Sequence, residues 1–221
     1  MGLPIITVPK YKLTIPSTNK EVTFRPFLVK EEKILLIAME SDDEEQMTTA
    51  IKDIIGNCVE NELDIESMPM FDIEYIFLQL RSKSKGEMVD MSFECDKCKK
   101  QIPVQIDLTT INIQRTEGHT NKIPLSDDVG VMMSYPSMQI QKTIKQDQTD
   151  VENIFNTISS CIESIWDKDT VYSTKDHTRE ELDKFLESLP DNSFTKIQKF
   201  FDTIPVLKHT FELKCTNKNG K

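Results

Sequence analysis

The sequence predicts an α+β fold with an N-terminal β-hairpin, helices, central antiparallel strands that carry a Cys-x-x-Cys turn, C-terminal helices and a final strand. Three observations lead to this prediction. Apolar and polar residues alternate before residue 28 and again between residues 87 and 108, as in half-buried strands. In the segments between and after these, apolar residues recur every three or four positions, as on one face of a helix. Because strands and helices occur in separate runs, an α+β arrangement is favoured over a parallel α/β sheet.

The first element is a predicted β-hairpin. Residues 11–16 and 20–27 alternate apolar with polar side chains, and Ser17-Thr18-Asn19 between them is a typical turn cluster. Pro16 and Pro26 fit the ends of the strands, because proline has no N–H to donate to a neighbouring strand.

Three helices are predicted to follow the hairpin. The first begins at Val29, where the apolar spacing becomes helical. The second follows Ser41-Asp42-Asp43-Glu44, which we interpret as a capping box with its serine as the N-cap, and its apolar stripe reaches Val59. The third covers residues 70–83 and is apolar around most of its circumference, which predicts a buried helix that ends near Gly86.

The central sheet is predicted from residues 87–94 and 101–108, which alternate again and are joined by Cys95-Asp96-Lys97-Cys98. Shorter extended pieces are expected at residues 111–115, 121–125 and 129–135. The stretch from Glu117 to Asn121 is expected to form a loop.

The last third of the chain is predicted to be mostly helical. An apolar stripe over residues 151–165 predicts a helix that ends at Trp166. Thr178-Arg179-Glu180-Glu181 is a second capping box ahead of another helix, and a further helix is expected over residues 193–203. A strand over residues 206–215 is expected to follow it.

We expect a single α+β domain over residues 1–221, because no low-complexity linker or periodic repeat divides the chain. The alternative is a subdivision into a hairpin-and-helix region, a β region and a helical region with the closing strand, at residues 1–86, 87–135 and 136–221. Asn219-Gly220 is a strong hairpin-turn pattern, yet only Lys221 follows it. The sequence therefore predicts that the natural protein continues with a return strand.

Composition excludes several classes of function. With 27 basic and 37 acidic residues the net charge is −10, which disfavours binding to a phosphate backbone, and no run approaches the ~18 apolar residues of a membrane helix. The 6 glycines are scattered, so neither a dinucleotide fingerprint nor a P-loop can form. Neither an HExxH pair nor a GxSxG elbow is present, and we expect a protein that is not an enzyme.

The five cysteines fall into two groups. Cys58 and Cys161 lie on apolar helix stripes and are expected to be buried, inert thiols. Cys95 and Cys98 form half of a zinc knuckle, and Cys215 is the expected third ligand. Candidates to complete such a structural zinc site are His209 and His119. The alternative is a polar β-turn without metal, and no other cofactor is predicted.

Several segments together resemble the baseplate hub and hub-assembly proteins of contractile-tailed, T-even-like bacteriophages. The resemblance extends along most of the chain and is firmest in the first 125 residues. The matching segments are Ile15-Pro16-Ser17-Thr18, the stretch from Phe24 to Leu36, the stretch from Phe71 to Phe77, Arg81-Ser82-Lys83-Ser84 with Gly86-Glu87, and the stretch from Glu117 to Ile123.

The resemblance implies a non-enzymatic phage tail protein that acts in baseplate hub assembly through protein–protein contacts, as a hub subunit or an assembly chaperone. Its implied partners are other hub proteins, and its implied location is the host cytoplasm during assembly or the virion baseplate. The alternative function is an adaptor protein built around a zinc ribbon with a structural zinc.

Four segments are candidates for contact with a partner. The aromatic stretch 24–28 is expected to pack on the core instead. Glu31-Glu32 and Asp42-Asp43-Glu44-Glu45 are either a docking patch for basic hub proteins or, as we expect, the solvated first turns of capped helices. The stretch from Val131 to Pro136, together with Met138, is either an adaptable surface or core filling.

Overall fold

The computed structural model describes residues 6–143 and 148–215 and confirms the mixed α+β class. The helices are α1 Val29–Ser41, α2 Glu44–Cys58, α3 Met70–Lys85, α4 Met138–Gln141, α5 Asp150–Cys161, α6 Arg179–Glu187 and α7 Asp191–Thr203. The strands are β1 Tyr11–Thr14, β2 Glu21–Phe24, β3 Met88–Glu94, β4 Gln101–Asp107, β5 Asn112–Gln114, β6 Lys122–Pro124, β7 Gly130–Met133, β8 Ile162–Trp166, β9 Val171–Ser173 and β10 Val206–Lys208. Among the helices of the described residues, none has the length and apolar content that spanning a bilayer requires.

The chain forms two compact units. Unit 1 comprises the described parts of Met1–Leu63, Phe71–Ile113 and Leu207–Lys221, and unit 2 comprises those of Asp64–Met70 and Gln114–Val206. That the chain behaves as a single cooperative domain remains a prediction, and a single transition on thermal unfolding would support it. The Asn219-Gly220 turn lies outside the described residues.

The N-terminal hairpin of unit 1 is confirmed. β1 and β2 pair antiparallel, with Tyr11 opposite Phe24, and the inward side chains of Leu13 and Phe24 are buried. Val59, the residue directly after α2, adds to this sheet by forming a β-bridge with Phe24. Phe27 is also buried, so the aromatic stretch packs on the core as expected.

The N-cap of α2 differs from the prediction. Ser41 belongs to the last turn of α1, where its hydroxyl donates to the carbonyl of Ala38 at 2.7 Å. Asp43 is the N-cap instead, and its carboxylate accepts from the amide of Glu45 at 2.9 Å. The predicted box at Ser41 is wrong because the link between the two helices is too short to place the serine outside α1. The box at Thr178 is confirmed.

Unit 2 contains a four-stranded antiparallel sheet in the order β6-β7-β8-β9. The helix predicted to reach Trp166 ends at Cys161, and Ile162–Trp166 forms β8 between β7 and β9. Periodicity misassigned this segment because β-branched and aromatic side chains also favour a strand that is paired on both sides. Gly130 pairs with Trp166, and a Cβ at Gly130 would lie 2.1 Å from the indole ring.

The final strand is shorter than predicted. Only Val206–Lys208 forms β10, and residues 209–215 are irregular. The partner of β10 is β5, which is itself only 3 residues long. A strand extends only as far as a partner offers backbone hydrogen bonds, and β5 ends at Gln114.

Candidate metal centre

The Cys-x-x-Cys turn lies at the tip of the β3–β4 hairpin. The two strands pair antiparallel up to Glu94 opposite Gln101. Beyond that pair, the amide of Cys95 donates to the carbonyl of Lys100 at 2.9 Å, and the amide of Lys99 donates back to the carbonyl of Cys95 at 2.8 Å. Lys99 has a left-handed φ of 59°, which reverses the chain within the tip.

The structure places the third predicted ligand beside this turn. The sulfur atoms of Cys95, Cys98 and Cys215 all lie within 4.8 Å of one another, and those of Cys98 and Cys215 are 3.5 Å apart. Cys95 and Cys98 are half-buried and Cys215 is exposed. Three thiolates in this arrangement can occupy three corners of a tetrahedral metal site.

Neither candidate histidine joins the three sulfur atoms among the residues that the structure describes. The ring of His209 lies 5.7 Å from the ring of Phe211. Both ring nitrogens of His119 have other partners, since Nδ1 is 2.9 Å from the hydroxyl of Thr203 and Nε2 is 3.1 Å from that of Tyr135. His119 is therefore part of a polar and aromatic cluster of unit 2.

We expect the pKa of His119 to lie below its usual value near 6.5, because burial and the positive charge of Arg115 disfavour the imidazolium. Between the pKa of His119 in the folded protein and its higher pKa in the unfolded chain, the unfolded chain binds more protons. Lowering the pH through this range therefore reduces the free energy of unfolding. An NMR titration of the His119 ring measures this pKa. Arg115→Gln should raise the pKa, whereas Lys175→Gln should leave it unchanged, and an unshifted wild-type value would contradict the expectation.

The other two cysteines behave as predicted. Cys58 is 1% exposed and Cys161 is fully buried. Burial raises the pKa of the Cys58 thiol to about 11 and that of the Cys161 thiol to about 12. Both thiols therefore remain protonated at neutral pH and serve as small core side chains.

The structure contains a buried ion pair that the sequence did not reveal. Glu31 is fully buried, so the interpretation of Glu31-Glu32 as a solvated turn is wrong for Glu31. Its carboxylate accepts from Arg25 Nη2 at 2.9 Å and from the amide of Leu28 at 2.8 Å. The position of Glu31 three residues after the helix N-cap is the signal that could have found the amide contact. No local sequence pattern indicates that Arg25 is the partner of Glu31.

A second buried carboxylate joins two distant segments. Asp72 in the first turn of α3 is fully buried and accepts hydrogen bonds from both the amide and the hydroxyl of Ser17, in the turn of the hairpin. The distance to the amide is 3.0 Å. In unit 2, Val131, Met133 and Met138 are also buried, whereas Met132 and residues 134–136 are half-buried, so the methionine-rich segment mainly fills the core.

The buried ion pair, the capped helices and the hairpin with its thiol cluster define a small α+β protein. The sequence model of the T4 bacteriophage base plate protein family matches residues 8–221, and the chain belongs to this family. No curated protein and no solved structure matches the chain significantly. Family membership indicates a structural role in the phage baseplate, with other baseplate proteins as partners.

Proposed function

We propose that this protein acts in building the baseplate hub through protein–protein contacts and without catalysis. The observation that carries the proposal is the match of the base plate family over residues 8–221, nearly the whole chain. The proposal of a role in the hub in particular rests on the resemblance of several segments to hub and hub-assembly proteins. Its partners would be other hub proteins, which it would meet in the host cytoplasm during assembly.

The outer face of α1 offers a surface for such a contact. Four apolar residues of this helix are at least half exposed, namely Val29, Leu36, Ile37 and Met39. On the opposite side of the same helix Glu31 and Ala38 are buried. A helix that is apolar toward solvent as well as toward the core usually packs against something on both sides.

A groove between α1 and α2 adjoins this face and indicates the chemistry of the partner. Its volume is about 360 Å³, and its apolar lining residues are Ile34, Ile37, Ala38 and Ala50. Asp43, Glu45 and Asp53 supply carboxylates around it. We therefore infer that a hub protein inserts apolar side chains of a helix here and places flanking lysines or arginines against the acidic rim.

Ile37→Glu tests this surface. The wild-type protein, tagged and recovered from infected cells, should capture other baseplate hub proteins, and Ile37→Glu should reduce that capture about tenfold or more, because it places a charge in an apolar contact. The control is Val171→Glu, which changes an exposed valine of unit 2 and should leave capture intact. Failure of the wild-type protein to capture any baseplate protein would contradict the proposed function.

The proteins of purified phage particles distinguish the two roles within this proposal. A hub subunit would be present at a fixed ratio to the other baseplate proteins, and an assembly chaperone would be absent from the particle. The thiol cluster of Cys95, Cys98 and Cys215 favours the second candidate function, an adaptor with a structural zinc. The two functions are compatible, because a structural metal stabilises a protein and does not by itself specify its binding partner.

A further inference from the structure

We propose that Cys95, Cys98 and Cys215 bind one zinc ion, which fastens residues 209–215 to the tip of the β3–β4 hairpin. The inference is independent of the proposed hub function. It rests on three sulfur atoms within 4.8 Å of one another, contributed by segments more than 100 residues apart in sequence.

The separation of the sulfur atoms suits the metal. At a Zn–S distance of 2.3 Å, two corners of a regular tetrahedron are about 3.8 Å apart. The 3.5 Å between the sulfur atoms of Cys98 and Cys215 is close to that value. Soft thiolate ligands select zinc over the hard ions magnesium and calcium.

An aromatic contact holds the third ligand in place. The ring of Phe211 meets the ring of Phe93 edge to face, with their centres 5.4 Å apart. Phe93 precedes Cys95 by two residues on β3, and Phe211 precedes Cys215 by four. The same contact that packs the irregular segment on the hairpin therefore brings Cys215 to the turn.

The segment needs such an anchor. Residues 209–215 have no regular secondary structure, and most of their side chains are exposed, including that of Leu213. Few buried apolar contacts leave a segment with low local stability. A metal bond to Cys215 would tie its far end to a paired hairpin.

The charges around the site fit a thiolate centre. Three thiolates and one divalent ion carry a net charge of −1, because each ligating thiol releases its proton to solvent. The chain is acidic overall, yet lysines flank the cysteines at positions 97, 99, 100 and 214. Lys99 also pairs with Glu94 at 3.1 Å. Among the described residues three ligands meet here, so the fourth corner of the tetrahedron can take a water molecule.

Cobalt titration of the reduced protein tests the site. We expect one cobalt ion per chain, with the near-ultraviolet charge-transfer band of cobalt thiolates, and displacement of cobalt by zinc. Cys215→Ser should weaken cobalt binding by more than about 100-fold, because even groups that only support a metal ligand change affinity 10–100-fold. Cys58→Ala, which removes a thiol from the core, should keep one cobalt ion per chain.

Proteolysis supplies a readout that does not depend on spectroscopy. With zinc bound, trypsin cleavage after Lys208 and Lys214 should slow about tenfold or more, since cleavage follows the opening of the segment. A chelator should restore fast cleavage in the wild-type protein and have no effect on Cys215→Ser. Absence of the cobalt band in the reduced wild-type protein would overturn the proposal. It would also be overturned if Cys98 and Cys215 form a disulfide and the protein binds no cobalt after reduction.

Discussion

Replacing Arg25 with methionine is expected to lower the free energy of unfolding by about 3–5 kcal/mol at pH 7, because it leaves the buried carboxylate of Glu31 without its main partner. The Glu31 side chain is 1% exposed and that of Arg25 is 18% exposed. Arg25 also donates to the carbonyl of Asn57 at 2.9 Å and so joins the end of α2 to the start of α1. Chemical denaturation at pH 7 measures the loss.

The pH dependence of this loss identifies the carboxylate as its cause. Burial alone would raise the pKa of Glu31, but hydrogen bonds from Arg25 and the amide of Leu28 outweigh it and the pKa is lowered. The ionised pair therefore stabilises the wild-type protein above the unfolded pKa, and this stability is lost as the pH falls through the folded pKa. In the variant, burial dominates and the pKa rises, so its deficit should shrink between pH 7 and about pH 4.

Two further variants serve as controls. Lys30→Met removes a cation that also lies near Glu31, at 3.3 Å, but its side chain is 66% exposed, so the cost should be below about 1 kcal/mol. Adding Glu31→Gln to Arg25→Met removes the unpaired charge and should recover stability. Two results would show that the broken ion pair does not cause the loss of stability. One is a loss that is independent of pH, and the other is a double variant that is less stable than Arg25→Met alone.

Replacing Asp72 with alanine is expected to cost about 3 kcal/mol, because the change removes two hydrogen bonds to a buried carboxyl group. Asp72 is fully buried, and both of these bonds come from Ser17, 55 residues earlier in the chain. The tether fixes the turn of the hairpin to the first turn of α3. Denaturation gives the energetic loss, and hydrogen exchange at the Ser17 amide shows where it arises.

Ser17→Ala is the matched control for this contact. It removes the hydroxyl but keeps the amide, which still donates to Asp72 at 3.0 Å. The cost should be about 1–2 kcal/mol, roughly half of that for Asp72→Ala. Equal losses in the two variants would mean that the amide contributes nothing, and unchanged exchange at Ser17 in Asp72→Ala would mean that the turn is held by other contacts.

The segments that led to the predicted phage-tail family resemblance are largely those that make these contacts. Ser17 and Asp72 belong to two such segments, and Arg25 and Glu31 belong to a third. Ser84 accepts from the amide of Phe27 at 2.9 Å. We infer that these motifs specify a fold rather than a reaction, which accords with a structural role in the baseplate.

Sequence patterns were sufficient to predict the elements whose cause is local. Period-two alternation gave the hairpin strands, helical spacing gave α1, α3 and α7, and Thr178 with Glu181 gave a cap. These features depend on neighbours within a few residues, which can be read directly from the sequence. The pair Cys95 and Cys98 was recognisable for the same reason, since one turn brings both sulfur atoms together.

Contacts between distant residues, by contrast, follow from the way the whole chain folds. The fold places Cys215 beside Cys98 and buries Glu31 against Arg25. It also ends α5 at Cys161, after which Ile162–Trp166 pairs with a strand on each side. Periodicity records which face of a segment is apolar, but not what packs on that face. The partner of a buried charge or of a thiol depends on the path of the whole chain.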